Sequence, residues 1–387
     1  EEITFMDPAC GSGHILVEAY NLFREIYLEL GYRTRDIPYY ILQNNLYGLE
    51  IDDRSAQLAG FALLMKARQD NRRILERNNI KLNVQAIQEA NGLDAEYLAW
   101  TLLRTSIQGS GQKQEQENKG SSQEKLHEKT KRQLQKLLEL FQEAKTFGSL
   151  IQVSDEVWKD IDDLERLVQQ NKQGDSDQQN TAELVEMLVR QARMLRDKYD
   201  CVVANPPYMG NKGLNPKLKS FLNDNYKDYK SDLFAAFIVR NLEMSKNNAQ
   251  LGFMSPYVWM FISSYEKLRD FLLTEKTITS LIQLEYSGFE GATVPICTFA
   301  LSNAHLQNFK GSYIRLSEFP GSANQAPKTL EAIKNPNCGW YYTASASEFK
   351  KIPGSPIAYW VSEKVINAFL NPKVSNYYLV KEGLGTR

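Results

Sequence analysis

The sequence predicts an α/β chain built on a parallel sheet, with a helical insertion and the start of a further domain towards the C-terminus. Three observations predict it. Residues 3–26 read as a strand, a glycine-rich turn and a helix. Residues 45–52 read as a second strand that ends on acids and runs straight into another helical pattern. Residues 199–203 form a β-branched run that stops on two consecutive prolines.

The elements follow in order. Ile3, Thr4, Phe5 and Met6 make a short apolar run, the mark of a buried strand. After it come Asp7, Pro8, Ala9, Cys10, Gly11, Ser12 and Gly13, and a helix opens at His14 with apolar residues at helical spacing at positions 15, 16, 19, 22, 23 and 26. The turn holds G-x-G but neither the longer G-x-G-x-x-G nor a GK[ST] ending, so it is not a P-loop. Its small residues would let a ligand lie directly on backbone, with helix-terminal N–H groups facing it. In the second strand an acid at the tip is placed to accept from two ribose hydroxyls. Glu50 is expected to take that role and Asp52 to cap the helix expected at about 53–69. Residues 82–87 alternate as a third strand, which ends at Asn91, Gly92, Leu93 and Asp94.

Residues 95–198 change character and read as a helical insertion. Residues 109–123 are polar and of low complexity, expected to be a mobile linker. Ser121 and Glu124 have capping-box spacing and are expected to start a helix carrying Leu134, Leu137, Leu138 and Phe141. A second helix carries Val157, Ile161, Leu164 and Val168, and a third Leu184, Leu188 and Leu195. The expected role is a solvated spacer, the alternative a lid facing a partner.

The strand at 199–203 leads into Ala204, Asn205, Pro206, Pro207 and Tyr208. Two prolines remove two backbone donors and fix φ, so the strand must stop and the loop is stiff. Asn205, ahead of a proline, is held extended. The product is a rigid loop offering one carboxamide, free carbonyls and one aromatic ring, a set suited to a flat, amino-bearing group. Residues 209–230 follow as a loop with Lys212, Lys217, Lys219, Lys227 and Lys230, suited to a phosphate backbone or simply solvated. A helix at 232–244, a strand at 251–254, a helix at 265–273 and an antiparallel pair at 278–284 and 293–301 come next. The pair flanks a turn with Tyr286 and Phe289. Beyond about 310 the pattern is irregular and aromatic-rich (Trp340, Tyr341, Tyr342, Tyr359, Trp360, Tyr377, Tyr378).

Length allows two or three domains. No apolar run reaches the roughly 18 residues of a membrane span, and no basic-then-apolar leader is present. The four cysteines are scattered without a C-x-x-C pair, which points to reduced thiols in a cytoplasm and no structural metal, and the three histidines are isolated. The net charge of −1 conceals an asymmetry, because residues 201–387 hold 20 basic and 14 acidic side chains. An anionic polymer would meet that half more comfortably. The chain starts on a strand without an initiator Met and stops on Gly383, Leu384, Gly385, Thr386 and Arg387, and is expected to be a piece of a longer one.

DPACGSG on the first strand, an acid after the second and NPPY on the fourth, in that order, resemble the class I (Rossmann-like) S-adenosylmethionine-dependent methyltransferases that modify the exocyclic amine of adenine in DNA. The order is the γ arrangement of type I and type IIG restriction-modification enzymes. More closely, DPACGSGHIL, NLYGLEIDDRSAQLA and YDCVVANPPYMG are similar to the PglX (BrxX) methyltransferases of bacterial BREX phage-defence systems. The resemblance covers residues 3–94 and 199–301, the insertion poorly and the last 80 residues hardly at all. It implies a cofactor-binding half at 1–94, the insertion at 95–198, a catalytic half at 199–310 and the start of a target-recognition region at 311–387. It implies S-adenosylmethionine as cofactor, double-stranded DNA and other defence proteins as partners, and a site-specific reaction at adenine N6. Carried over by position, Asp7, Ala9, Gly11 and Gly13 would line the methionine moiety, Glu50 would bind the ribose, Ile51 would pack on the cofactor adenine and Asn91 would meet its amine. Many relatives have Asp where this chain has Asn91. Asn205 and the Pro206 carbonyl would accept from the target amine, and Tyr208 and Phe289 would stack on the flipped base.

Such a transfer needs positioning and electrostatics more than a strong base, which suits a site without His or Cys. Glutamine N5-methyltransferases share NPPY but are compact, cytosine N4 enzymes more often have Ser at the first position, and a non-catalytic cofactor- or DNA-binding scaffold of a defence complex is the rival from another class. A type IIG restriction-modification methyltransferase is a further alternative.

Overall fold

The computed structural model describes residues 3–76, 80–108, 116–210, 212–286, 288 and 294–372. The chain divides into two compact units, Glu1–Ala204 and Asn205–Arg387.

In the first unit four strands, β1 (Phe5–Asp7), β2 (Leu46–Glu50), β3 (Asn83–Ala86) and β4 (Tyr199–Ala204), lie in the order β3-β2-β1-β4. Every pairing among them is parallel. The two central strands β1 and β2 are almost wholly buried, as expected of parallel strands covered on both faces. Asp200 fixes the register of β4 against the start of β1 by accepting from both the N–H and the hydroxyl of Thr4, each at 2.9 Å. Helices α1 (His14–Glu29) and α2 (Asp53–Asp70) pack on the sheet and on each other through Leu16, Tyr20, Phe23, Ala59 and Leu63.

The insertion supplies α3 (Ala95–Gln108), α4 (Gln116–Leu140), α5 (Asp155–Asn171) and α6 (Ser176–Arg196). The apolar positions expected at its core, Leu134, Leu137, Phe141, Ile161, Leu164, Val168, Leu188 and Leu195, are buried. Ser121 does not start a helix, because α4 begins at Gln116. The Gln/Glu/Lys run ahead of Ser121 is rich in good helix formers, so the helix propagates through it. Residues 109–115 of the expected linker lie outside the described residues. The insertion is not a detached spacer. Gln191 on α6 accepts from the Gln88 N–H at 2.7 Å and donates to its carbonyl at 3.1 Å, and Gln85 donates to the Met187 carbonyl at 2.9 Å. These bonds tie α6 to a β3 side chain and to the backbone just beyond β3, the edge strand of this unit.

In the second unit β5 (Ser245–Pro256), β6 (Thr277–Gln283), β7 (Ile296–Ser302), β8 (Lys310–Arg315) and β9 (Tyr341–Ser345) lie in the order β5-β7-β6-β8-β9. Strand β7 is antiparallel to both β5 and β6, so the expected finishing pair is present. Strand β8 is parallel to β6 and β9 antiparallel to β8. A boundary at 310 therefore cuts into a sheet: residues 310–345 continue it. Neither KGSYIR nor YYTAS carries a clean apolar alternation, so only the long-range pairing identifies them as strands. Helices α7 (Pro216–Asn225), α8 (Leu233–Glu243), α9 (Glu266–Glu275) and α10 (Ser322–Lys334) complete the unit. Of α8, residues 233–242 are buried throughout.

Candidate functional site

In the first unit, candidate residues gather at the C-terminal ends of β1 and β2. Asp7, the last residue of β1, is fully buried. One carboxylate oxygen accepts from the Ala9 N–H at 3.1 Å, and the other has no partner. Burial pushes its pKa up to about 7, with the negative charge of Glu50 adding to the rise and the Ala9 N–H opposing it. Glu50 ends β2 with a carboxylate tied to backbone: one oxygen accepts from Gly11 at 2.8 Å, the other from Ile51 at 2.9 Å and Asp52 at 3.1 Å. The strand tip and the glycine turn are thus one hydrogen-bonded structure, reinforced by the Cys10 N–H donating to the Leu49 carbonyl at 3.0 Å. Asp52 caps α2 by accepting from the Ser55 N–H at 2.7 Å, which holds its pKa below the ordinary value.

Gly13 adopts φ +87°, and a Cβ there would lie 2.9 Å from Cα and Cβ of Ala59. It therefore serves two needs, the left-handed turn into α1 and the close approach of α1 to α2. Ile51 projects from the strand tip and is 45% exposed, unusual for isoleucine beside a buried sheet end. Asn91 is exposed, and its amide donates to Glu89 at 2.8 Å.

Sequence patterns gave no warning of the residues that close over these tips. Within the insertion, Lys145 donates from its backbone to Glu89 at 3.1 Å. Its ammonium donates to the Ile51 carbonyl at 2.6 Å and pairs with Asp53 at 2.9 Å. The buried Ser149 hydroxyl donates to the Pro8 carbonyl, and the Ala90 N–H donates to the Phe141 carbonyl at 2.9 Å.

In the second unit, candidate residues begin at Asn205, directly after β4 in the chain. Asn205 is exposed, Pro206 buried and Tyr208 half-buried. The Tyr208 hydroxyl donates to the Asn205 carboxamide oxygen at 2.6 Å. Its ring packs on a cluster that includes Leu284, Ile296 and Leu316, and burial pushes its pKa up to about 12. Asp232, the N-cap of α8, holds the far end of this loop. One oxygen accepts from Met209 at 3.0 Å and Phe234 at 3.2 Å, while the Met209 carbonyl accepts from Leu233 at 3.1 Å. Phe289 lies outside the described residues.

No group of three or more His, Cys, Asp or Glu side chains could hold a metal among the described residues. Burial raises the Cys201 thiol to about 11 and Cys297 to about 12, so neither is a thiolate near neutral pH. The rigid acceptor-and-ring loop is therefore equipped to orient a planar amine rather than to attack it. No helix among the described residues is long and apolar enough to cross a membrane.

The chain is 42% identical over 375 residues to the adenine-specific methyltransferase BrxX of Escherichia coli O9:H4 (strain HS), covering 96% of this chain and 30% of that protein. It is 32% identical to the adenine-specific methyltransferase PglX of Lacticaseibacillus casei (strain Zhang), covering 100% of this chain and 31% of that protein. The chain thus spans about a third of the length of these curated relatives. Among solved structures, the type ISP restriction-modification enzyme LlaGI, studied as a nuclease-deletion mutant with a DNA substrate mimic, matches with a TM-score of 0.53 at 14% identity, covering 95% of this chain and 25% of that one. The fold is the α/β arrangement expected from the three motifs, shared with that enzyme. With the Eco57I restriction-modification methylase model matching residues 44–289, the chain belongs to that family.

Proposed function

We propose that this chain is the methyltransferase part of a site-specific DNA methyltransferase that transfers a methyl group from S-adenosylmethionine to N6 of a flipped-out adenine in double-stranded DNA, within a BREX-type phage-defence system. The observation that carries the reading is the exposed Asn205 carboxamide, fixed between the end of β4 and two prolines and bonded to the Tyr208 hydroxyl. The printed names of the BrxX and PglX relatives support adenine as the target.

The residues fit the cofactor. Asp7 offers a buried carboxylate oxygen lacking a partner, suited to a cationic ammonium, and Glu50 retains lone pairs for ribose hydroxyls beyond its bonds to the turn. Gly11 and Ala9 leave the turn open to a methionine moiety, Gly13 sets the turn's path, Ile51 offers an apolar face to an adenine ring and Asn91 an amide to its edge. When bound, S-adenosylmethionine supplies an electrophilic methyl on a cationic sulfur.

The adenine amine is a poor nucleophile because its lone pair is delocalised into the ring. Acceptance of its hydrogens by Asn205 Oδ1 and the Pro206 carbonyl draws the nitrogen towards a tetrahedral, localised lone pair. The Tyr208 hydroxyl donates to the Asn205 oxygen and so holds that acceptor in a fixed direction for an incoming amine. Extruding the base costs a few kcal/mol, and stacking on Tyr208 returns about 1–3 kcal/mol.

The test is to sequence genomic DNA for modified bases from cells carrying the full-length protein with its neighbouring genes, against Asn205→Ala. N6-methyladenine in one sequence context, lost in the variant while cofactor binding survives, is the expected result. An unmodified genome with bound cofactor would overturn the reading in favour of a non-catalytic scaffold.

A further inference from the structure

We infer that the helical insertion is part of the cofactor site, with Lys145 a positioning residue for its adenosine end and Ser149 one for the turn at its methionine end. The inference rests on the cofactor reading above and deepens it. Three segments were assigned to the cofactor on sequence grounds: the turn after β1, the tip of β2 and the loop after β3. The insertion segment from Phe141 to Ile151 is bonded to each of them. Ser149 binds the turn through the Pro8 carbonyl. Lys145 binds the β2 tip through the Ile51 carbonyl and Asp53, and the β3 loop through Glu89. Phe141 receives the Ala90 N–H of the same loop. Glu89 in turn holds the Asn91 amide.

The geometry explains two exposed residues. Ile51 would be free to swing at the end of β2, but the ammonium on its own carbonyl fixes its backbone, and Gly148 passes so close that a Cβ there would lie 3.0 Å from Ile51 Cγ2. Asn91 sits on the exposed turn after β3, and Glu89 ties it to Lys145. Lys145 therefore sets the separation of the two side chains proposed to grip an adenine ring, one on its face and one on its edge. A lysine suits this junction, because its ammonium can donate in several directions to a carbonyl and a carboxylate. Neither Lys145 nor Ser149 need touch the reacting atoms, so their loss acts on binding rather than on the transfer step.

The experiment is calorimetric titration of S-adenosylmethionine, and separately of adenosine and methionine, into the full-length protein and its Lys145→Met, Ser149→Ala and Lys129→Ala variants. Lys129→Ala removes an insertion ion pair to Asp163 that touches none of the three segments. We expect Lys145→Met to weaken S-adenosylmethionine and adenosine about five- to thirtyfold with methionine affinity unchanged, Ser149→Ala to weaken S-adenosylmethionine and methionine several-fold, and Lys129→Ala to change none of them, with Lys145→Arg recovering part of its loss. Steady-state turnover should show KM for the cofactor rising with kcat nearly constant. Wild-type affinity in both Lys145→Met and Ser149→Ala would overturn the inference while leaving the cofactor reading intact. Equal weakening in Lys129→Ala would also overturn it, as general loosening of the insertion. A wild-type protein that binds no S-adenosylmethionine would overturn the cofactor reading itself, and this inference with it.

Discussion

Asp7 makes the first unit titrate in an unusual direction. A buried carboxyl whose pKa rises from 3.8 to about 7 binds more protons folded than unfolded. Stability from this group is therefore fully present below pH 3.8 and is lost as pH rises through about 7, opposite to the behaviour of a salt-bridged aspartate. At 1.36 kcal/mol per pKa unit the whole effect is about 4 kcal/mol, of which more than half falls between pH 5 and pH 8. Asp7→Asn isolates it. Asparagine keeps a carbonyl oxygen for the Ala9 N–H but cannot ionise, and its buried amide leaves a constant penalty of about 1–3 kcal/mol at every pH. Urea denaturation of both proteins from pH 5 to pH 8, without ligand, should show the wild-type advantage over the variant shrinking by about 2–3 kcal/mol. Saturating S-adenosylmethionine should flatten the wild-type curve, because a cation beside the orphaned oxygen lowers the pKa. Parallel curves for the two proteins would refute the reasoning, showing that Asp7 is ionised throughout this range.

Two further outcomes follow from the site geometry. Gly13→Ala combines a positive φ, costing about 1–2 kcal/mol, with a Cβ 2.9 Å from the Ala59 backbone. It should lower the thermal midpoint by several degrees and weaken the cofactor, and an unchanged midpoint on calorimetry would refute the packing role. Tyr208→Ala should raise KM for target DNA about 5- to 150-fold, the equivalent of the stacking energy, whereas Tyr208→Phe should stay within about threefold. Equal losses in both would instead assign the work to the hydroxyl bond to Asn205.

What was legible from the chain was what covalent structure or local period dictates. Pro206 and Pro207 stop a strand whatever the tertiary context, Asp52 stands where a helix needs an N-cap, and Leu134, Leu137 and Phe141 share a face because 3.6 residues make a turn. The features missed depend on partners far away in sequence. Strands β8 and β9 carry few apolar residues, and their identity comes from β8 pairing with β6, about thirty positions earlier in the chain, and β9 pairing with β8. Asp232 was readable as the start of α8, but its hold on Met209 joins residues 23 positions apart.

The segment at 141–151 shows where such a signal could have been found. Ser149 meets Pro8 across 141 positions, which no periodicity encodes. Yet Gly148 and Ser149 are followed by Leu150, Ile151 and Val153, an apolar cluster with no helical face to sit on, in an otherwise charged insertion. All three are buried. A short apolar run without a period has to pack against something outside its own helices, since exposing it would forfeit the burial that stabilises the rest. The residues just ahead of it, Gly148 and Ser149, are the ones that meet Ile51 at the β2 tip and Pro8 in the β1 turn. A solvated spacer would have no need of such a run.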